Sequence, residues 1–267
     1  MKKLFTLILP LAILAGCSTN AVTGRKQLSL IPEAQLQEMA LSQYQGFLST
    51  SKVVSTNTSR DAEMVKRVGS RIATAITQYY TKQGKGAILD GYKWEFNLVD
   101  DKQVNAWCMP GGKVVVYSGL LPITQNEAAL AVVLGHEITH AVAQHGNERM
   151  SQELVAQGLG SLGDALTSNN GKANSIFNAV FAPGAQGFVL LPKSRNQEYE
   201  ADHFGLLFCA MAGYNPQEAI PFWERMIAAS NGNKPPEFLS SHPADENRIS
   251  RLKGYMPEAL KYYKPRK

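Results

Sequence analysis

Residues 126–142 read NEAALAVVLGHEITHAV, and this stretch decides both the fold class and the chemistry to look for. It carries helical periodicity, and helical patterning continues from Asn126 almost to the end of the chain. Val132 to Gly135 before the histidines and Ala141 to Ala143 after them are uncharged, as a buried helix requires. His136 and His140 are four residues apart, about 40° round a helix axis, so their imidazoles stand side by side. That is the spacing at which two nitrogen ligands hold one Zn²⁺. Glu137, about 100° round, reaches past the metal toward a bound water.

A catalytic zinc needs a third protein ligand and an open fourth position. Residues 194–202, SRNQEYEAD, open another helical pattern in which Glu198 and Asp202 share a face. The economical assignment makes Glu198 the third ligand. Asp202 then accepts a hydrogen bond from the far nitrogen of a ligating histidine and fixes its tautomer. Glu200, about 200° from Glu198, is expected to point away. A solvated acidic helix start is the alternative for this stretch taken alone.

Working outward, Pro32-Glu33 opens one helix, and Asp61 starts a second with Met64, Val65, Val68, Ile72 and Ile76 as its apolar stripe. Tyr92, Trp94, Phe96 and Leu98 alternate with polar residues as in a half-buried strand. Val104–Met109, Pro110-Gly111-Gly112 and Lys113–Tyr117 read as strand, turn, strand. The sum is an α+β fold, mostly helical, with a small antiparallel or mixed sheet near the catalytic helix. Val114, Val115, Val116 and Tyr117 are placed to form an open sheet edge over the metal, where an extended peptide adds as a strand. The alternative for that strand is a buried central position.

The chain has 267 residues, 44% hydrophobic and 18% charged, enough for a sizeable core. Its net charge of +5 is scattered, with no basic block, which argues against nucleic acid as a partner. Lys2 and Lys3 followed by an apolar run, Leu4–Leu14, form a secretory signal too short to span a bilayer. Leu14-Ala15-Gly16-Cys17 resembles a bacterial lipobox. The expected organisation is therefore a signal peptide at 1–16, a lipidated tether at 17–32 beginning at Cys17, and one domain at 33–267. Ser18 after the cysteine resembles outer-membrane sorting. The expected location is the cell envelope, lipid-anchored in the outer membrane and facing the periplasm.

Four ordered motifs now carry a family resemblance. His136-Glu137-x-x-His140 and Glu198-Tyr199-x-Ala201-Asp202 resemble peptidase family M48, the CAAX prenyl protease/HtpX-like zinc metallopeptidases within the gluzincins. The stretch from Asn105-Ala106-Trp107 to Leu120-Leu121 is similar to the family's approach to the catalytic helix. Ser241-His242-Pro243-Ala244 with Arg248-Ile249 resembles its C-terminal His-Pro motif. The resemblance spans about residues 60 to 255. It implies a gluzincin-type domain with one Zn²⁺ per chain, of the small lipoprotein type without transmembrane helices or tetratricopeptide repeats. It also implies polypeptide substrates among misfolded or envelope proteins. Oligomeric state is not indicated.

In the mechanism these residues imply, Glu137 is the general base. By resemblance and chemistry together, His242 and Arg248 are candidate donors to the oxyanion. In some relatives the His-Pro histidine instead caps the zinc as an inhibitory fourth ligand, and a structural role for His242 is the third option. His145, about 140° off the metal face, is expected at the surface or behind the ligands, and His203 is expected to face elsewhere. Cys108 and Cys209 suit buried free thiols, with a disulfide as the alternative. The glycine-rich segments Ser151–Asn170 and Gly184–Gly187 read as a mobile cover or as plain loops. The competing function is a lipoprotein chaperone or assembly factor for outer-membrane proteins that cuts rarely.

Overall fold

The computed structural model describes residues 17–156, 171–181, 195–230, 236–242 and 247–265. Residues 1–16, expected as the signal peptide, most of the Ser151–Asn170 segment, Gly184–Gly187, and Pro243 and Ala244 of the His-Pro motif lie outside the described residues.

The chain opens with a hairpin, β1 (Cys17–Thr19) against β2 (Lys26–Leu28). Helices α1 (Glu33–Thr50) and α2 (Arg60–Lys82) follow, the second capped by the Ser59 side chain accepting from the Ala62 N–H. A three-stranded sheet comes next: β3 (Glu95–Val99), β4 (Ala106–Met109) and β5 (Lys113–Tyr117). A short turn of helix, α3 (Leu121–Thr124), leads into α4 (Glu127–Val142), whose N-cap Asn126 accepts from the Ala129 N–H. The remaining helices are α5 (His145–Ala156), α6 (Gly171–Phe181), α7 (Arg195–Met211), α8 (Ala219–Ala228), α9 (Glu237–Ser241) and α10 (Arg248–Tyr262). None of the described helices is long and apolar enough to cross a membrane.

One expectation is corrected here. The sheet order is β3-β5-β4, with β5 parallel to β3 and antiparallel to β4. Val114, Val115, Val116 and Tyr117 therefore lie on the central strand, buried on both faces, and not on an open edge. The physical reason is in the composition: an unbroken Val-Val-Val run has no polar face to give to solvent. Val114 and Val116 pack into the core around α2, α4 and α7, whereas Val115 and Tyr117 pack into a second core with α1, α5 and α6. The open edge is β4, with which only β5 pairs among the described residues. Gly111 and Gly112 turn the chain between them at φ of 78° and 79°, a region that L side chains rarely adopt.

Residues 17–28 pair with themselves and are stitched to the domain. The Asn20 and Gln27 side chains donate to the Ala143 carbonyl at 2.8 and 3.3 Å, Leu30 N–H donates to Ser151 Oγ, and Asn147 donates to the Ile31 carbonyl. The Ser/Thr/Asn/Gly composition marks a tight turn as readily as a linker. Asn20 Oδ1 accepts from the Val22 and Thr23 N–H groups, and Gly24 takes φ 73°.

Candidate metal centre

Helices α4 and α7 meet backbone to backbone. A Cβ on Gly135 would lie 2.6 Å from the Gly205 carbonyl oxygen, and one on Gly205 would lie 2.8 Å from the His136 nitrogen. This close crossing lets His136 and His140 on α4 face Glu198 and Asp202 on α7 across a short gap. His136 Nε2 and His140 Nε2 stand 3.1 Å apart, at 3.4 and 3.3 Å from the two oxygens of Glu198. His242, just past α9, brings its Nδ1 to 2.9 Å from both His136 Nε2 and Glu198 Oε2. The four ligand atoms lie within 4.8 Å of one another, and all four residues are buried.

The donor set fits a divalent cation. Asp202 Oδ1 accepts from His136 Nδ1 at 2.9 Å, which places the ring proton there and leaves the Nε2 lone pair facing the cluster. Several lone pairs and a carboxylate converging in a buried site repel one another unless a cation sits among them. Burial acts to raise the pKa of Asp202, but the Arg248 guanidinium and the His136 ring together hold it below the usual carboxylate range. Glu137 is buried beside the cluster, with Oε1 3.1 Å from His242 Nε2.

Arg248 sits behind the ligands. Its Nη2 donates to Asp202 Oδ1 at 2.7 Å, its Nη1 donates to the His242 carbonyl at 3.2 Å, and its guanidinium lies 3.6 Å from the centre of the Trp223 ring. The expected donor to an oxyanion is thus occupied on the buried side, where it orients Asp202 and the His242 backbone. His203 pairs with Glu258 away from the cluster, as expected. Cys108 and Cys209 are free thiols, and burial raises the pKa of both.

The sequence left His145 open between the surface and a place behind the ligands, and did not show the bonds of Glu200 or the place of Arg149. His145 is fully buried, with Nδ1 2.8 Å from His140 Nδ1. Of the two expected places it takes the one behind the ligands, because α4 ends at Val142. Gln144 then takes φ 54° and turns the chain so that the His145 ring returns beside His140. Glu200 does point away from the metal ligands, but its Oε2 accepts from His145 Nε2 at 3.0 Å. Burial lowers the pKa of His145 against the opposing pull of Glu200. Arg149 lines a cleft with Trp107, Cys108, Glu137 and His140, and burial brings its pKa down to about 10 despite the nearby Glu198, Glu137 and Glu148.

A helical α+β domain whose closest helix crossing gathers an HExxH pair, a glutamate and a supporting aspartate has the architecture of a metallopeptidase domain. The profile of peptidase family M48 matches residues 59–256, and the chain belongs to that family. It is similar to the mitochondrial metalloendopeptidase OMA1 of Saccharomyces cerevisiae, 38% identical over 184 residues, which cover 66% of this chain and 51% of that protein. The human metalloendopeptidase OMA1 is 29% identical over 252 residues, 91% of this chain and 46% of its own length. The beta-barrel assembly-enhancing protease of Escherichia coli is 28% identical over 185 residues, 66% of this chain and 38% of its own. The chain spans about half the length or less of these relatives.

Proposed function

We propose that this chain is a zinc-dependent endopeptidase of the bacterial cell envelope that hydrolyses misfolded or envelope polypeptides. The observation that supports it most is the buried convergence of His136, His140 and Glu198 with Glu137 alongside. Zn²⁺ held by those three residues supplies a Lewis acid for the scissile carbonyl and brings the pKa of water toward about 7. Glu137 takes the proton from the attacking water and passes it to the leaving amine. Asp202 and His145 keep His136 and His140 in the tautomers that present Nε2 inward. The test is cleavage of unfolded casein by the full chain. Hydrolysis stopped by a chelator and restored by one equivalent of Zn²⁺ supports the reading; hydrolysis indifferent to the chelator refutes it.

Substrate is best served by the open edge of β4. The register pairs Trp107 with Val115 and Met109 with Lys113, and Tyr117 N–H donates to the Asn105 carbonyl, so alternate residues Ala106 and Cys108 turn their backbone groups outward. An extended peptide adding there lies beside Glu137 and His140 across the cleft. Cys108→Pro removes one outward donor while sparing the ladder to β5, and is expected to raise KM several-fold with zinc content unchanged. An unaltered KM would exclude this edge.

His242 reads as a removable cap. Its two ring nitrogens face the ligand cluster and Glu137, so it would fill a further position on a bound metal and hold the base at once. His242→Ala is expected to keep zinc and raise casein turnover; zinc retained with slower turnover would make His242 a participant in the reaction instead. Such a closed site also favours the second reading, a lipoprotein chaperone or assembly factor with little proteolysis. Glu137→Gln separates the two, since a chaperone keeps its hold on unfolded outer-membrane proteins.

The lipobox-like Leu14-Ala15-Gly16-Cys17 supports cleavage of residues 1–16 and lipidation of Cys17, with outer-membrane placement suggested by Ser18. Cys17 is exposed and only three residues from Asn20, which is bonded to the domain, so a lipid there holds the domain within about 10 Å of chain from the bilayer. Metabolic labelling with palmitate, lost in Cys17→Ser, is the expected result.

A further inference from the structure

The N-terminal hairpin reaches the metal centre through an unbroken line of polar contacts. Arg25, on the loop between β1 and β2, holds two carboxylates at once. Its Nη1 and Nη2 donate to the two oxygens of Glu148 at 2.6 and 2.7 Å, and its Nε donates to Glu200 Oε1 at 2.7 Å. Glu200 Oε2 accepts from His145 Nε2 at 3.0 Å. With its proton on Nε2, His145 presents the Nδ1 lone pair to His140 Nδ1, 2.8 Å away. His140 must then carry its proton on Nδ1, which leaves its Nε2 lone pair facing the ligand cluster. The hairpin also grips the chain just past His140, through Asn20 and Gln27 on the Ala143 carbonyl.

We propose that Arg25, Glu200 and His145 are positioning residues of the metal centre, so that docking of the N-terminal hairpin sets the tautomer and angle of His140. His136 has its own such partner in Asp202 on α7, whereas the partner of His140 is held in place from the chain's N-terminal segment. The inference rests on the reading of His136, His140 and Glu198 as the zinc ligands. It makes zinc binding and hairpin docking reciprocal: each strengthens the other by the same factor.

The test is the Zn²⁺ dissociation constant of the full chain, measured by competition with a fluorescent chelator. Outer partners of metal ligands are worth roughly 10- to 100-fold in affinity. His145→Leu and Glu200→Ala are therefore expected to weaken zinc about tenfold or more, and Arg25→Met to shift it the same way. Asp100→Asn, in an exposed pair with Lys52 that touches none of this line of contacts, is expected to stay within about twofold. In the unaltered chain, zinc is expected to slow amide hydrogen exchange across residues 20–28, and His145→Leu to lose that effect. If His145→Leu does not fold, exchange in the unaltered chain decides. Dissociation constants unchanged in His145→Leu, Glu200→Ala and Arg25→Met, equal weakening by Asp100→Asn and Glu200→Ala, or exchange at 20–28 indifferent to zinc would each overturn the inference alone. An unaltered chain that binds no zinc overturns the reading of the ligands and the inference with it.

Discussion

Glu137→Gln is expected to lower casein turnover by about 10²- to 10⁴-fold while leaving zinc in place, because general-base catalysis is worth that much and the amide cannot take the proton. Glutamine has nearly the same shape and remains able to bond with its neighbours, so the buried cluster keeps its packing. The carboxylate is 3% exposed, inside the α4 face that carries His136 and His140, and contributes nothing to the His/His/Glu donor set. Zinc content and turnover should therefore separate cleanly. Parallel loss of both would mean that Glu137 holds the site together; unchanged turnover would remove it from the reaction.

Gly205→Val is expected to damage the fold and the metal centre together. The first added carbon would sit 2.8 Å from the His136 backbone nitrogen, a contact with backbone that no rotamer change relieves. Overpacking of a core costs about 1–3 kcal/mol, which in a domain of this size lowers Tm by several degrees. The two helices can accommodate valine only by separating, and separation draws Glu198 and Asp202 away from His136 and His140. Weaker zinc binding should accompany the lower Tm. A variant with unaltered Tm and zinc affinity would show that the crossing is not what assembles the site. Gly135→Val, against the Gly205 carbonyl at 2.6 Å, should behave alike.

The residues of the cluster were readable because each pair sits within one unbroken helix, where a spacing of four fixes the shared face: His136 with His140, and Glu198 with its neighbour Asp202. The helices, the β4–β5 hairpin and the α+β class followed from equally local patterns. What stayed hidden depends on where the chain stops being regular. His145 was left open between the surface and a place behind the ligands, because the helix ends between it and His140, where Gln144 takes a left-handed φ and no wheel applies. The bond of Glu200 was hidden with it, since its partner is His145. Arg25 meets Glu148 and Glu200 from more than a hundred residues away, a distance over which no local pattern speaks. The central place of β5 was present in the sequence as a continuous Val114-Val115-Val116 run. A half-exposed edge strand would have alternated.

Metal content of the purified full chain, measured beside the double variant His136→Ala/His140→Ala, tests the centre most directly. One zinc per chain in the unaltered protein, absent from the double variant, is the expected result. An unaltered chain without zinc, or a double variant that keeps its full complement, would contradict the assignment of these helices as the bed of a catalytic metal.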